Sequence, residues 1–287
     1  MDERICLVTG ATSGIGRVTA RELARRGMRV VLVGRDAARA EAAAAAIRRE
    51  TGSDAVEYLL ADLSSQAQVR ALAAAFRRSH ERLHVLVNNA GAVFTRRDVT
   101  ADGLERTFAL NHLAPFLLTN LLLETLKASA PARVVTVSSG AHYGASLNFN
   151  DLQHVRGRFR PFQVYSQSKL ANVLFTYELA RRLEGTGVTA NTLHPGFVAT
   201  NFGKGAGALW RGVFTLLRPF MIGPERGAQT SIYLASSPEV EGVTGQFFDT
   251  SKAVRSSSAS YDREAQRRLW EISEQLTGLV PTAEAAV

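Results

Sequence analysis

The chain has 287 residues, of which 46% are hydrophobic and 21% charged, and carries a net charge of +8. That length and apolar content support a sizeable core and exclude a disordered or fibrous chain. The positive excess is scattered as helix-face arginine pairs such as Arg25-Arg26, Arg77-Arg78 and Arg267-Arg268. No long basic block occurs, so nucleic-acid binding is not expected.

Apolar and β-branched runs predict strands over residues 4–9, 29–33, 56–61, 85–87, 133–137, 189–193 and 245–249. Helical periodicity and start signals predict helices over 14–26, 37–50, 64–79, 101–129, 163–184, 228–234 and 260–276. The helix over 101–129 reads as continuous, opened by Thr100 and closed near Pro131. Strands that are apolar throughout and alternate with helices predict an α/β chain. The expected fold is a single Rossmann-type, doubly wound parallel sheet with helices on both faces. No internal repeat or linker divides the chain. The expectation is one domain over 1–287, with a glycine-rich half to about 130 and a second half from about 131.

Cys6 is the sole cysteine and lies in an apolar run. An internal disulfide is impossible, and no Cys/His cluster suggests a metal. The first residues enter a strand directly, and no apolar span reaches about 18 residues. A cytoplasmic protein without an integral membrane segment is expected.

Between the first strand and helix stands Thr9-Gly10-Ala11-Thr12-Ser13-Gly14-Ile15-Gly16. Gly10 permits the tight turn, Gly14 lets backbone approach a pyrophosphate, and Gly16 lets the helix pack closely. The helix start then offers free N–H groups and a positive dipole end to phosphates. The second strand runs into Gly34-Arg35-Asp36. NAD binders usually place an acidic side chain here for the ribose 2′-hydroxyl. Gly34 takes that place and Arg35 suits a 2′-phosphate, so NADP(H) is the expected cofactor. Asp36 argues the other way, unless it caps the following helix.

These motifs, followed by Asn88-Asn89-Ala90-Gly91 and Tyr165-Ser166-Gln167-Ser168-Lys169, resemble the short-chain dehydrogenase/reductase family. Asn111-His112-Leu113, Ser138-Ser139-Gly140-Ala141-His142, Leu193-His194-Pro195-Gly196 and Gly227-Ala228-Gln229-Thr230 are similar to its retinol dehydrogenase-like subgroup. The resemblance spans roughly residues 4–279. It implies an oxidoreductase that interconverts an alcohol with an aldehyde or ketone. Tyr165 is implied as the acid/base. A free tyrosine has a pKa of about 10, and a nearby ammonium, together with an oxidised nicotinamide, would favour its phenolate. Lys169, one helical turn on, shares its face.

Ser139 is implied as the hydrogen-bonding serine and substrate contact, with Ser138 as competitor. Asn111 is implied to hold a water against Lys169; otherwise it is a polar residue distorting a helix. Ser13 and Ile15, with Asp62 and Leu63 on the adenine side, are implied cofactor contacts. Asn89, Ala90 and Gly91 would line its middle, and Pro195, Gly196, Val198 and Thr200 its nicotinamide amide. His112, His142 and His194 read as structural residues rather than general bases.

The apolar stretch 209–221, with Trp210, Phe214 and Phe220, reads as a lid over a small lipophilic substrate. It could also pack on the body, on another subunit in a homo-oligomer, or on a membrane surface. Many relatives in the subgroup carry an N-terminal membrane anchor, which is not expected here, and a membrane-bound role is not expected either. The competing functional reading is a catalytically silent NADP(H)-binding regulator on the same fold.

Overall fold

The computed structural model describes residues 4–197 and 222–279. Strands β1 (Ile5–Thr9), β2 (Arg29–Gly34), β3 (Val56–Leu60), β4 (Val85–Asn88), β5 (Ala132–Val137), β6 (Val188–His194), β7 (Phe247–Asp249) and β8 (Lys252–Val254) form one sheet. Their order is β3-β2-β1-β4-β5-β6-β7-β8. The first seven are parallel. β8 returns antiparallel on β7, so the sheet is mixed at one edge. That edge strand is absent from the sequence expectation. Its turn residues, Thr250 and Ser251, both have positive φ. Tight hairpins usually announce that conformation with Asn-Gly or Asp-Gly, and Thr-Ser gives no such signal.

Alternate residues of each strand enter opposite faces, which is why the strands are apolar throughout. On one face Leu7, Val31, Leu86 and Val134 pack under α3 (Gln66–Ser79), α5 (Ala114–Leu121), α7 (Pro161–Arg182) and α10 (Arg263–Thr277). Phe116, Phe175 and Trp270 meet there with ring centroids 4.9–5.9 Å apart. On the other face Cys6, Val8, Val30, Leu32 and Val87 pack under α1 (Gly14–Arg25), α2 (Ala37–Thr51) and α9 (Gln229–Ser236). Cys6 is fully buried and burial pushes its thiol pKa up, as befits a core residue. The short helix α8 (Pro224–Gly227) precedes α9.

The expected continuous helix over 101–129 is instead a broken run. It begins at α4 (Arg106–Phe108), passes through a π turn over Ala109–Leu113, and continues as α5 and α6 (Leu123–Ala128). Its cap is Glu105, whose carboxylate accepts the N–H groups of Thr107 and Phe108 at 2.8 Å. Thr100 lies in the preceding turn. Pro115 has no N–H to bond the carbonyl four residues back, which is that of Asn111. The π turn therefore sits where an α-helix could not be completed.

The sheet order reverses between β1 and β4. In such sheets ligands bind beyond the strands' carboxyl ends at that switch. The segments following β1, β2, β4, β5 and β6 carry most of the residues singled out from the sequence. Among the described residues no helix is long and apolar enough to cross a membrane.

Candidate active site and cofactor cleft

β1 runs into the glycine turn, where Gly10 and Gly14 have φ of +65° and +57°. A Cβ on Gly10 would stand 3.0 Å from Ala90 Cα, and one on Gly16 only 2.5 Å from Asn89 Nδ2 and the Gly10 carbonyl. Glycine is thus required for the turn to close onto the end of β4. Thr9 fastens the two: its hydroxyl accepts the N–H groups of Asn89 and Ala90 at 2.9 and 3.0 Å and donates to Val87. Asn89 donates back to the Thr9 carbonyl at 2.8 Å. Thr9 was not singled out in the sequence; its position just before the glycine turn is the signal that could have found it.

Ser13 makes no side-chain cap on α1, and no acidic residue occupies the first turn. Asp36 and Ser65 cap α2 and α3 in the ordinary way. The start of α1, with Ile15 in its first turn, therefore leaves N–H groups turned toward the cleft, the arrangement a phosphate group fits.

Asp36 Oδ1 accepts the Arg39 N–H at 2.9 Å, so this carboxylate is a helix cap. A Cβ on Gly34 would come within 2.4 Å of Thr12 Cγ2, which leaves no room for an acidic side chain without movement. Arg35 is exposed. Burial works against the Asp62 carboxylate, yet hydrogen bonds from Ser64 and the charges of Arg35 and Arg106 hold its pKa below the usual range. Leu63 beside it is buried.

Across the switch, β5 delivers Ser138 and Ser139, and α7 delivers Tyr165 and Lys169 from one face. Ser138 donates to the Lys169 carbonyl at 2.7 Å, which ties β5 to α7. Ser139 instead hydrogen-bonds the Tyr165 phenol, and its oxygen accepts the Ala141 N–H at 3.2 Å. Lys169 is 3% exposed; its ammonium donates to the Val137 carbonyl at 3.0 Å and lies 5.7 Å from the Tyr165 ring centroid. Burial draws the lysine pKa down to about 8. Burial also pushes Tyr165 up to about 12, against the lowering bond with Ser139. Desolvation of the buried phenolate is thus the larger of the two effects on Tyr165.

Asn111, fully buried in the π turn, brackets Ala92: its amide donates to the Ala92 carbonyl and accepts the Ala92 N–H, both at 2.9 Å. It also donates to Ser168 Oγ. A Cβ on Gly91 would stand 3.2 Å from both Asn111 Oδ1 and Lys169 Nζ. The loop after β4 thus lies directly against Asn111 and Lys169. Pro195 and Gly196 follow β6, Gly196 with φ +85°. Val198, Thr200 and the stretch 209–221 lie outside the described residues.

The three histidines are buried or half-buried and hydrogen-bonded. His112 pairs with Ser273 Oγ at 2.8 Å, and since Ser273 already donates to Leu269, the imidazole is the donor. His142 and His194 accept backbone N–H groups from Ser257 and Gly140. Desolvation lowers the pKa of all three, that of His112 to about 3. Among the described residues no cluster could hold a metal.

A model of the short chain dehydrogenase family matches residues 4–208. Human retinol dehydrogenase 14 is 47% identical over 296 residues, covering 98% of this chain and 88% of that protein. Human polyprenol dehydrogenase is 44% identical, covering 97% and 86%. An uncharacterized protein from Mycobacterium paratuberculosis superimposes with a TM-score of 0.77 at 36% identity over 96% of this chain and 93% of that one. The Pseudomonas aeruginosa RhlG/NADP active-site complex gives 0.68 at 29% identity over 85% and 93%.

The neutral histidines make stability pH-dependent. An unfolded histidine binds a proton below about pH 6.5; these native rings do so only at lower pH. Stability is therefore complete above about pH 6.5 and falls as pH drops below it, by about 1.4 kcal/mol per pH unit for each ring held neutral. For His112 the loss continues toward about pH 3. Urea unfolding between about pH 7 and about pH 5, above most carboxylate titration, should show a falling midpoint, flattened in His112→Gln. A constant midpoint would contradict the burial argument.

Proposed function

Given that this chain belongs to the short-chain dehydrogenase family, in its retinol dehydrogenase-like group, and is an alcohol/carbonyl oxidoreductase using a nicotinamide cofactor, we propose that it uses NADP(H) and acts on a lipophilic alcohol and its aldehyde or ketone. Asn111, Ser139, Tyr165 and Lys169 are its catalytic residues, carried on one domain over 1–287. The observation that supports this most is the meeting of Ser139, from β5, with the Tyr165 phenol, one turn from a buried lysine that no described carboxylate pairs.

When bound, the nicotinamide supplies or accepts the hydride. Gly10, Ser13, Gly14, Ile15 and Gly16 hold the pyrophosphate at the start of α1. Arg35, Asp62 and Leu63 take the adenosine end. Asn89, Ala90 and Gly91, with Lys169, take the middle, and Pro195, Gly196, Val198 and Thr200 the nicotinamide. In reduction, Tyr165 donates its proton to the developing alkoxide, and a phenol with a pKa near 12 is protonated for that role at neutral pH. Ser139 Oγ stabilises the same oxygen by hydrogen bonding. Its oxygen accepts the Ala141 N–H, and its single proton is the one given to the substrate oxygen. Lys169 positions the cofactor ribose and, with Asn111 holding the loop before it, replaces the proton that Tyr165 gives up.

NADP(H) is supported by three features of the β2 terminus: crowding at Gly34, the cap role of Asp36, and the exposed guanidinium of Arg35. The similar RhlG structure is a complex with NADP. A lipophilic substrate is supported by the names of the relatives, which act on retinol and polyprenol, both long isoprenoid alcohols. It is also supported by Phe162, 60% exposed with its ring centroid 6.4 Å from that of Tyr165. The stretch 209–221 is proposed as the lid.

Replacing Tyr165 by Phe should lower kcat on the order of 10²- to 10⁴-fold while NADPH affinity persists, read by steady-state reduction of retinal alongside cofactor titration. Near-normal kcat would remove Tyr165 from the chemistry.

Arg35→Ala should weaken NADPH by about 10- to 150-fold, the equivalent of one charge-assisted hydrogen bond of roughly 1.5–3 kcal/mol, and leave NADH nearly untouched. Fluorescence titration of both cofactors checks this, and an unchanged ratio of affinities would assign the 2′-phosphate elsewhere.

A further inference from the structure

The backbone carrying Ser139 is gripped by two imidazoles that the chemistry above does not use. His142 is fully buried, with Nδ1 2.7 Å from the Ser139 carbonyl oxygen and Nε2 3.1 Å from the Ser257 nitrogen. A backbone N–H can only donate, so Nε2 is the acceptor and Nδ1 carries the proton given to Ser139. His194, the last residue of β6, accepts the Gly140 N–H on Nδ1 at 2.9 Å. The Ser139 carbonyl and the Gly140 N–H are the two ends of one peptide group. The His194 ring lies against that group so closely that a Cβ on Gly140 would stand 3.2 Å from Nε2.

We propose that His142 and His194 are positioning residues for the reaction: by holding both ends of the Ser139–Gly140 peptide they fix its plane, and so aim the Ser139 hydroxyl at Tyr165. This rests on the reading of Ser139 as a catalytic residue. Both nitrogens of His142 are engaged, and Nδ1 of His194 is an acceptor, so neither ring can act as a general base without releasing the peptide. His142 also sits among apolar rings, 4.1 Å from Tyr143 and 4.7 Å from Phe247 between centroids. A hydrocarbon side chain would be cheaper to bury there; the imidazole brings a donor and an acceptor that a hydrocarbon lacks. The clamp reaches further. His142 takes the Ser257 N–H and Tyr143 donates to the Arg255 carbonyl at 2.8 Å. The strap before α10 is thereby fastened to the serine turn.

The test compares His194→Phe, His194→Asn, Ser139→Ala and the double variant His194→Phe/Ser139→Ala, each assayed for kcat with retinal and for NADPH affinity. An Asn Oδ1 can take the place of Nδ1 as acceptor; Phe cannot. His194→Phe should lower kcat on the order of 10²-fold, the penalty of a misplaced catalytic group, with NADPH affinity unchanged. His194→Asn should recover most of the loss. In the Ser139→Ala background His194→Phe should cost nothing more, because the group it aims is gone. Should His194→Phe fail to fold, His194→Gln, whose amide reaches the Nε2 rather than the Nδ1 position, replaces it in the same comparison. Normal kcat in Ser139→Ala would overturn the reading of Ser139 itself. Loss in Ser139→Ala with normal kcat in His194→Phe, or an equal further loss in the double variant, would overturn the clamp alone.

Discussion

The ammonium of Lys169 is the constraint around which this molecule is arranged. It lies 3% exposed in the sheet–helix interface, and its hydrogen bond among the described residues goes to one backbone carbonyl. Burying a charge without a carboxylate is costly, and the burial registers as a pKa drawn down to about 8. An apolar side chain would stabilise the core better at that position. The charge is tolerable because α7 sets it beneath the Tyr165 ring and beside Gly91, where a Cβ would already stand 3.2 Å from Nζ. The cost of the cation is offset by the rigidity around it: Ser138 ties Lys169 to β5, and Asn111 with Ser168 ties the loop after β4 to the same helix.

The sheet order brings those pieces together. Reversal between β1 and β4 opens the crevice, and Thr9 then determines how close its walls come, by binding the first two N–H groups after β4. The glycine turn, the Asn89–Gly91 loop and the serine turn all follow from strands that end at the same height. The helical run before β5 completes the wall only because Pro115 interrupts it; the π turn that results places Asn111 against Ala92 and Ser168.

Much of this was legible in the sequence, and for physical reasons. Strands buried on both faces must be apolar throughout, so β1 to β6 stood out. Glycine at a positive φ and tyrosine–lysine spacing on one helix face are local patterns that local reading can find. What escaped was set by tertiary contact. The break at Asn111 depends on a missing donor at Pro115, inside a segment whose apolar periodicity stays helical. β8 depends on a Thr250-Ser251 turn in a conformation those residues seldom adopt. The three histidines, which read as structural rather than basic in the sequence, are each hydrogen-bonded to another element. Their bonds to Ser139 and Gly140 were not foreseeable, because the partners come from β5, β6 and the strap before α10. The burial that raises the Tyr165 pKa is likewise a product of tertiary packing.

Isotope transfer decides whether the Ser139, Tyr165 and Lys169 assembly works with a nicotinamide cofactor on a lipophilic carbonyl. The protein is incubated with retinal and NADPH deuterated at C4 on one face, then in a second run on the other, and the alcohol is analysed by mass spectrometry. One deuterium is expected on the carbinol carbon from one of the two labelled cofactors and none from the other. Retinal left unreduced, or alcohol without deuterium from either, would contradict it.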